Sequence, residues 1–276
     1  NSVRKIPTDD EGRMDVSALQ QAIRQDRDAG HTPFFVNATA GTTVLGAYDP
    51  FDRIADVCES EGLWLHIDGA WGGSVAMSRK LAGLLTGSHR ADSFTWDAHK
   101  MMGVPLLASA FLVKKPGLLD RNFNEDAGYL YQSLDHDGTA APVDYDLGHI
   151  SMQCGRRNDA LKVWAHWQAL GDEGIEAQTN KLRDTALQVA DLIAADPDLQ
   201  LILPPASMNV CFSVRGADSA ILCDELDKRA LAKVGHGSWR GRSFIRLVCV
   251  NPALDLGAYK EFLSVTKNVG KELRQQ

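Results

Sequence analysis

Short apolar runs alternate with amphipathic helical patterns along the first half of the chain. The apolar runs, each bounded by turn residues, predict buried strands at residues 33–39, 63–67, 93–96 and 108–113. Between the first two runs, Ile54, Ala55 and Cys58 share one helical face, which predicts a helix from Asp49-Pro50 to Gly62. A further helical stretch is expected at 79–85. This alternation predicts an open α/β sheet, whose ligands bind beyond the carboxyl ends of the strands.

Beyond residue 157 the pattern changes to longer helices followed by a mixed α+β arrangement. Helices are expected at 158–170 and 175–193, with Gly171 between them. Later apolar runs predict further strands at 199–203, 210–214 and 244–250, and further helices at 217–229 and from about 257. The glycine-rich segment 235–241 is interpreted as a hairpin or a flexible loop, because it lacks the spacing of a phosphate loop. We therefore expect a domain boundary near residue 197, with residues 197–276 forming a small α+β domain.

Composition excludes several classes of function. The chain of 276 residues carries 36 acidic and 29 basic side chains, a net charge of −7, which argues against a nucleic-acid partner. No apolar stretch approaches the roughly 18 residues that a membrane span needs. The five cysteines are scattered, odd in number and never in a CxxC pair, which favours a reducing compartment, predicted to be the cytoplasm, and no metal site.

Two residues have the position and type that catalysis needs. Asp68 ends the strand at 63–67, and Lys100 follows the strand at 93–96, so both are expected at the same edge of the sheet. A buried Asp–Lys ion pair is one interpretation. The alternative is a cofactor site: a lysine amine forms a Schiff base with a carbonyl, and a carboxylate keeps a pyridinium nitrogen protonated. Pyridoxal 5'-phosphate (PLP) needs these two protein groups.

Several motifs in order along the chain carry a family resemblance. These segments are 37–43 (NATAGTT), 66–73 (HIDGAWGG), 97–103 (DAHKMMG), 127–132 (AGYLYQ) and 153–156 (QCGR). The sequence resembles the PLP-dependent group II amino-acid decarboxylases, in the branch of glutamate and cysteine sulfinate decarboxylases. The resemblance implies an α/β PLP-dependent transferase fold of type I, similar to aspartate aminotransferase. It also implies a homodimer with active sites at the subunit interface, and assigns residues 1–196 to the C-terminal part of the large PLP-binding domain and its connecting helices.

The resemblance assigns cofactor roles to five positions. Lys100 matches the lysine that forms the Schiff base, and Asp68 matches the aspartate that pairs with the pyridine nitrogen. Ala70 matches the small residue on one face of the ring. Thr43 matches a threonine near the cofactor hydroxyl, and His99 belongs to the lysine motif.

Two further positions are assigned to the substrate. Tyr129 matches a loop tyrosine that protonates the substrate carbon after carbon dioxide leaves, and Arg246 matches the arginine that binds the α-carboxylate. The implied reaction is α-decarboxylation of a small, acidic L-amino acid: glutamate, cysteine sulfinate or aspartate. Two alternatives remain open: another fold type I enzyme, such as an aminotransferase or lyase, and a non-catalytic fragment that keeps the dimer surface.

The sequence departs from the family pattern in two ways. Asp97 stands where many relatives have Asn near the cofactor phosphate, and a free carboxylate there would repel a dianion. The glycine- and serine-rich phosphate turn and the histidine that stacks on the ring are also not found. Because relatives carry these features in a preceding segment, we expect this chain to be the C-terminal portion of a longer decarboxylase.

Overall fold

The structure is a computed structural model that describes residues 2–123, 147–153 and 155–274. In these ranges the chain forms eight strands and six α-helices. The strands are β1 (Phe35–Thr39), β2 (Trp64–Gly69), β3 (Ser93–Asp97), β4 (Ser109–Val113), β5 (Leu199–Leu201), β6 (Asn209–Val214), β7 (Gly235–Trp239) and β8 (Arg242–Val248). The helices are α1 (Val16–Asp28), α2 (Phe51–Glu61), α3 (Leu118–Phe123), α4 (Ala160–Ala195), α5 (Ser219–Lys228) and α6 (Leu256–Leu273).

The first sheet contains the four strands predicted in the first half of the chain, in the order β1-β2-β3-β4. The first three strands are parallel, and β4 runs antiparallel to β3. Alternate residues of β2 point into the core, where Leu65 and Ile67 are almost completely buried with Phe51 and Ile54 of α2. The mixed α/β class is therefore confirmed, and the helix expected before Gly62 is α2.

The helical stretch expected at 79–85 is present only in part, since Ala82–Leu85 forms a 3-10 turn. Two further 3-10 turns flank it, at Gly72–Met77 and Ser88–Arg90. Glycines interrupt this segment, and glycine is unfavourable inside an α-helix. Gly72 is also packed closely: a Cβ built on it would lie 2.5 Å from both the Ala40 carbonyl oxygen and the Tyr48 hydroxyl.

Helix α1 lies outside the elements that the apolar pattern predicted. Its buried positions Val16, Leu19 and Ile23 have helical spacing, and the Asp15 carboxylate accepts hydrogen bonds from the amides of residues 17 and 18 as an N-cap. Both the apolar spacing and the Asp15 cap can be read from the sequence, so this helix could have been predicted.

The second sheet is antiparallel throughout, in the order β5-β6-β8-β7. Helices α5 and α6 pack on it around a separate core that includes Phe212, Leu222 and Ile245. The segment at 235–241, interpreted as a hairpin or a loop, is a hairpin, since β7 pairs with β8 from Gly235 to Trp239.

Helix α4 joins the two cores. Gly171 has φ 64° and ψ 176°, so the helix is interrupted there, as the two predicted helices require. Leu182 belongs to the core of the first sheet, whereas Ala186 and Ile193 belong to the core of the second sheet. The domain boundary at residues 196/197 stays a prediction.

The described cysteines Cys58, Cys211, Cys223 and Cys249 are free and buried. Across the same described ranges, no helix combines the length and the apolar character needed to cross a membrane.

Replacing Gly72 with Ala should lower the free energy of unfolding by about 1–3 kcal/mol, because the new methyl group overlaps the backbone of residue 40 and the Tyr48 side chain. Gly83→Ala is the matched control, since nothing lies within 4 Å of a Cβ at that exposed position. Urea unfolding monitored by circular dichroism provides the measurement. Equal midpoints for the two variants would contradict the close packing at Gly72.

Candidate active site

The carboxyl ends of β2 and β3 bring Asp68 and the segment before Lys100 to one edge of the first sheet. The two strands are parallel, and Asp68 pairs with Thr95 in register. Asp68 is half-buried, and its Oδ1 accepts a hydrogen bond of 3.0 Å from the Ala70 amide. This contact fixes one carboxylate oxygen and places the small side chain of Ala70 beside the acid.

Lys100 lies in a tight turn that backbone hydrogen bonds and buried neighbouring side chains hold in place. Its amide donates to the Asp97 carbonyl at 3.2 Å, and its own carbonyl accepts from the Gly103 amide at 3.2 Å. The neighbouring side chains of Ala98, Met101 and Met102 are buried. The Lys100 side chain, by contrast, is 40% exposed. The turn therefore holds the lysine backbone in place while its amine remains accessible.

Asp97 lies under this turn and is surrounded by donors. Its Oδ2 is 2.9 Å from Lys100 Nζ and 3.8 Å from His99 Nε2, and its side chain also bonds to Ser109. Burial raises the pKa of Asp97, but the hydrogen bonds from Ser109 and Lys100 and the nearby positive charges outweigh burial, so the pKa lies below its usual value. The Asp97 carboxylate is thus paired with the Lys100 ammonium and is not the free carboxylate that would repel a cofactor phosphate.

The imidazole of His99 is held by the start of β4. Its Nδ1 lies 3.0 Å from the Ala108 carbonyl oxygen and 3.2 Å from the Ala108 amide nitrogen. The His99 side chain is only 9% exposed. The ring therefore has a fixed orientation, with Nε2 on the side of Asp97.

Thr43 is exposed in a turn after β1, and Asn209 of β6 holds that turn. The Asn209 Nδ2 donates to the carbonyls of Thr43 and Val44, both at 3.0 Å. Its Oδ1 accepts from Trp71 Nε1 at 2.9 Å. A fully buried amide thus joins the Thr43 turn, the segment after Asp68 and the second sheet. The sequence analysis missed Asn209, because its partners lie 138 to 166 residues away.

Arg246 occupies the middle of β8, between Cys211 of β6 and Gly235 of β7. Cys211 donates from its thiol to the Val44 carbonyl at 3.2 Å. Burial raises the pKa of Cys211 to about 12, and the Arg246 charge opposes that shift. Arg246 therefore lies beside the strand that holds the Thr43 turn, and not in a separate part of the fold.

One guanidinium nitrogen of Arg246 is unsatisfied. Its Nε is buried and has no hydrogen-bond partner in the part of the chain that the structure describes. A buried donor without an acceptor costs about 1–3 kcal/mol, so this nitrogen is suited to an anionic ligand.

His66 serves packing and hydrogen bonding within the first sheet. Its Nδ1 lies 2.8 Å from the Ser93 hydroxyl, and its ring lies between Phe35 and Phe111, with centroids about 6 Å away. Burial lowers the pKa of His66, although the Asp68 charge opposes this shift. The described residues contain no group of three His, Cys, Asp or Glu side chains that could hold a metal ion.

The structure thus assembles two groups of predicted residues. Asp68, Ala70, His99 and Lys100 lie at the ends of β2 and β3. The Thr43 turn is bonded to β6 through Asn209 and Cys211, and Arg246 lies beside Cys211 on β8. Tyr129 lies outside the described residues.

The donor set fits PLP. A carboxylate suits a protonated ring nitrogen, an accessible amine suits an aldehyde, and a methyl side chain leaves room for a planar ring. The unpartnered N–H of Arg246 adds a donor for a carboxylate.

Comparison with known proteins gives consistent matches. Residues 2–215 match the pyridoxal-dependent decarboxylase conserved domain. The chain is 37% identical to mouse (Mus musculus) acidic amino acid decarboxylase GADL1 over 97% of its length, and 36% identical to human (Homo sapiens) cysteine sulfinic acid decarboxylase over 99%. It covers 52% and 58% of those proteins, so the chain spans about half the length of the curated relatives it matches.

The crystal structure of mouse CSAD superposes with a TM-score of 0.90 at 34% identity, covering 99% of this chain and 59% of that one. This match confirms the type I fold that the sequence resemblance implied.

Replacing Asn209 with Ala should lower the free energy of unfolding by about 2 kcal/mol or more, because the Trp71 indole N–H and two carbonyls lose their partner in the interior. Asn37→Ala is the control, since Asn37 is exposed on β1. Urea titration monitored by circular dichroism reports the stability of both variants. Wild-type stability in Asn209→Ala would contradict the proposed role of this amide.

Proposed function

Because the chain belongs to the pyridoxal-dependent decarboxylase family, we propose that it performs PLP-dependent α-decarboxylation of a small, acidic L-amino acid, releasing carbon dioxide and an amine. The observation that carries this proposal is the presence of Asp68 and the accessible Lys100 at one edge of a parallel sheet. The names of the relatives, acidic amino acid and cysteine sulfinic acid decarboxylases, favour glutamate, cysteine sulfinate or aspartate as substrate.

PLP, when bound, supplies an electron sink for the carbanion left by loss of carbon dioxide. In the proposed site, the Lys100 amine anchors the cofactor covalently, and the Asp68 carboxylate keeps the ring nitrogen protonated. Ala70 packs on one ring face, Thr43 lies toward the cofactor hydroxyl, and His99 supports the lysine turn. The hydrogen bond from the Ala70 amide orients Asp68, so its second oxygen is available for the ring.

Two residues act on the substrate in this proposal. Arg246 binds the α-carboxylate, and its buried, unpartnered Nε supports that assignment. A guanidinium suits a planar carboxylate because two N–H groups donate in parallel. Tyr129 is proposed to return a proton to the substrate carbon.

We further propose that the protein is a homodimer in the cytoplasm. The scattered cysteines, of which the four described ones are free, favour a reducing compartment. Gel filtration with light scattering tests the dimer directly.

Lys100→Ala should abolish cofactor attachment and lower decarboxylation at least about 100-fold, because no amine remains to hold PLP in place. The full gene product is incubated with PLP, reduced with borohydride and digested, and the modified peptide is identified by mass spectrometry. Lys115→Ala, at an exposed position, is the control. Modification of another lysine with unchanged turnover in Lys100→Ala would show that the assignment is wrong.

Arg246→Met should raise the KM for the amino acid roughly 10- to 100-fold, because a charge-assisted hydrogen bond to the carboxylate is lost. Arg246→Lys should recover only part of the lost affinity, since lysine keeps the positive charge but lacks the two parallel N–H donors of the guanidinium. Steady-state carbon dioxide release gives KM and kcat separately. An unchanged KM in Arg246→Met would contradict the role in substrate binding.

A further inference from the structure

The carboxylate of Asp97 makes the closest ionic contact of Lys100 in the described part of the chain. Its Oδ2 lies 2.9 Å from Lys100 Nζ, across the turn that joins β3 to the lysine. The Asp97 side chain is 12% exposed, whereas that of Lys100 is 40% exposed. The ion pair therefore joins a mostly buried carboxylate to a partly exposed ammonium.

The acceptor is held in place by β4. Asp97 pairs with Ser109 in the antiparallel register of β3 and β4, and the two side chains are hydrogen bonded. His99 Nε2 lies 3.8 Å from the same Oδ2. These contacts hold the carboxylate from residues other than Lys100.

Lysine must leave this contact to react with an aldehyde. An ammonium that donates to a carboxylate has no free electron pair, so it must lose a proton and its partner before its nitrogen can attack a carbonyl. Conversely, when a substrate amine replaces Lys100 on the cofactor, the carbon–nitrogen bond to Lys100 breaks. The substrate ammonium nitrogen would lose the protons that the Lys100 nitrogen gains, so Lys100 would leave as an ammonium with three N–H bonds.

We propose that Asp97 is a positioning residue that holds the ammonium of Lys100 whenever the lysine is not bonded to the cofactor. This inference rests on the proposed function. It assigns a role to the negative charge at position 97. An amide at position 97 could accept a hydrogen bond but could not neutralise the ammonium.

A second ion pair in the chain provides a matched control. Lys162 Nζ lies 2.8 Å from Asp159 Oδ1, with the same spacing of three residues, and it also donates to the Leu107 carbonyl at 2.6 Å. Neither residue belongs to the proposed site.

The test measures the reactivity of single lysines in the cofactor-free chain. The full gene product, freed of cofactor, is treated with formaldehyde and cyanoborohydride at mildly alkaline pH, and methylation of each lysine is followed by peptide mass spectrometry. Asp97→Asn should accelerate methylation of Lys100 about threefold or more and leave Lys162 unchanged. Asp159→Asn should accelerate Lys162 alone, and Asp97→Glu, which keeps the charge, should leave Lys100 close to its wild-type rate.

Unchanged methylation of Lys100 in a folded Asp97→Asn variant would overturn the proposal, as would equal acceleration in Asp97→Glu. Asp97→Ser is the second charge-free variant if Asp97→Asn does not fold. Loss of the fold in both would also count against the proposal, because a residue that only positions Lys100 is dispensable for folding.

A separate measurement follows the rate at which PLP attaches to the full gene product, by absorbance. The proposal predicts faster attachment in Asp97→Asn than in the wild type. Slower or equal attachment counts against it. If the wild-type protein never takes up PLP, the proposed function fails, while the methylation result still decides the role of Asp97.

Discussion

The parallel pairing of β2 with β3 is the constraint on which the candidate site depends. Parallel strands end at the same edge of a sheet, so residues 27 or more positions apart in sequence meet there. Without this register, Asp68 would be an isolated strand carboxylate and Lys100 a surface lysine. The buried residues Leu65 and Ile67 stabilise the pairing, because each is packed in the core under the strand that carries Asp68. Packing of these core residues therefore stabilises the strand register that brings Asp68 and Lys100 to one edge of the sheet.

The second sheet completes the arrangement through a small number of polar contacts. Asn209 bonds to the Thr43 turn and to Trp71, and Cys211 bonds to Val44. Arg246 is the register partner of Cys211, so the strand that carries the substrate-binding candidate is tied to the turn that carries a cofactor-binding candidate. Buried hydrogen bonds of this kind are costly to break. They favour one relative position of the two sheets at this point of contact.

Much of the fold was predictable because its signals are local. The apolar runs predicted β1 to β4, and the position of Gly171 predicted the interruption of α4. The helical stretch at 79–85 was only partly predicted correctly, because the chain forms a 3-10 turn at Ala82–Leu85 with Gly83 inside it, and glycine disfavours an α-helix. In the site, the types and order of Asp68 and Lys100 were sufficient to suggest a cofactor. The role of Asn209 and the unpartnered Nε of Arg246 depend on contacts between distant segments, so only the structure could supply them.

The central claim is that this sheet edge holds PLP between Lys100 and Asp68. An experimental structure of the full gene product with PLP bound tests it most directly. The account predicts continuous density from Lys100 Nζ to the cofactor, with the Asp68 carboxylate within hydrogen-bond distance of the ring nitrogen and Ala70 against the ring. Cofactor density attached to a different lysine, or a ring nitrogen that faces a residue other than Asp68, would contradict it.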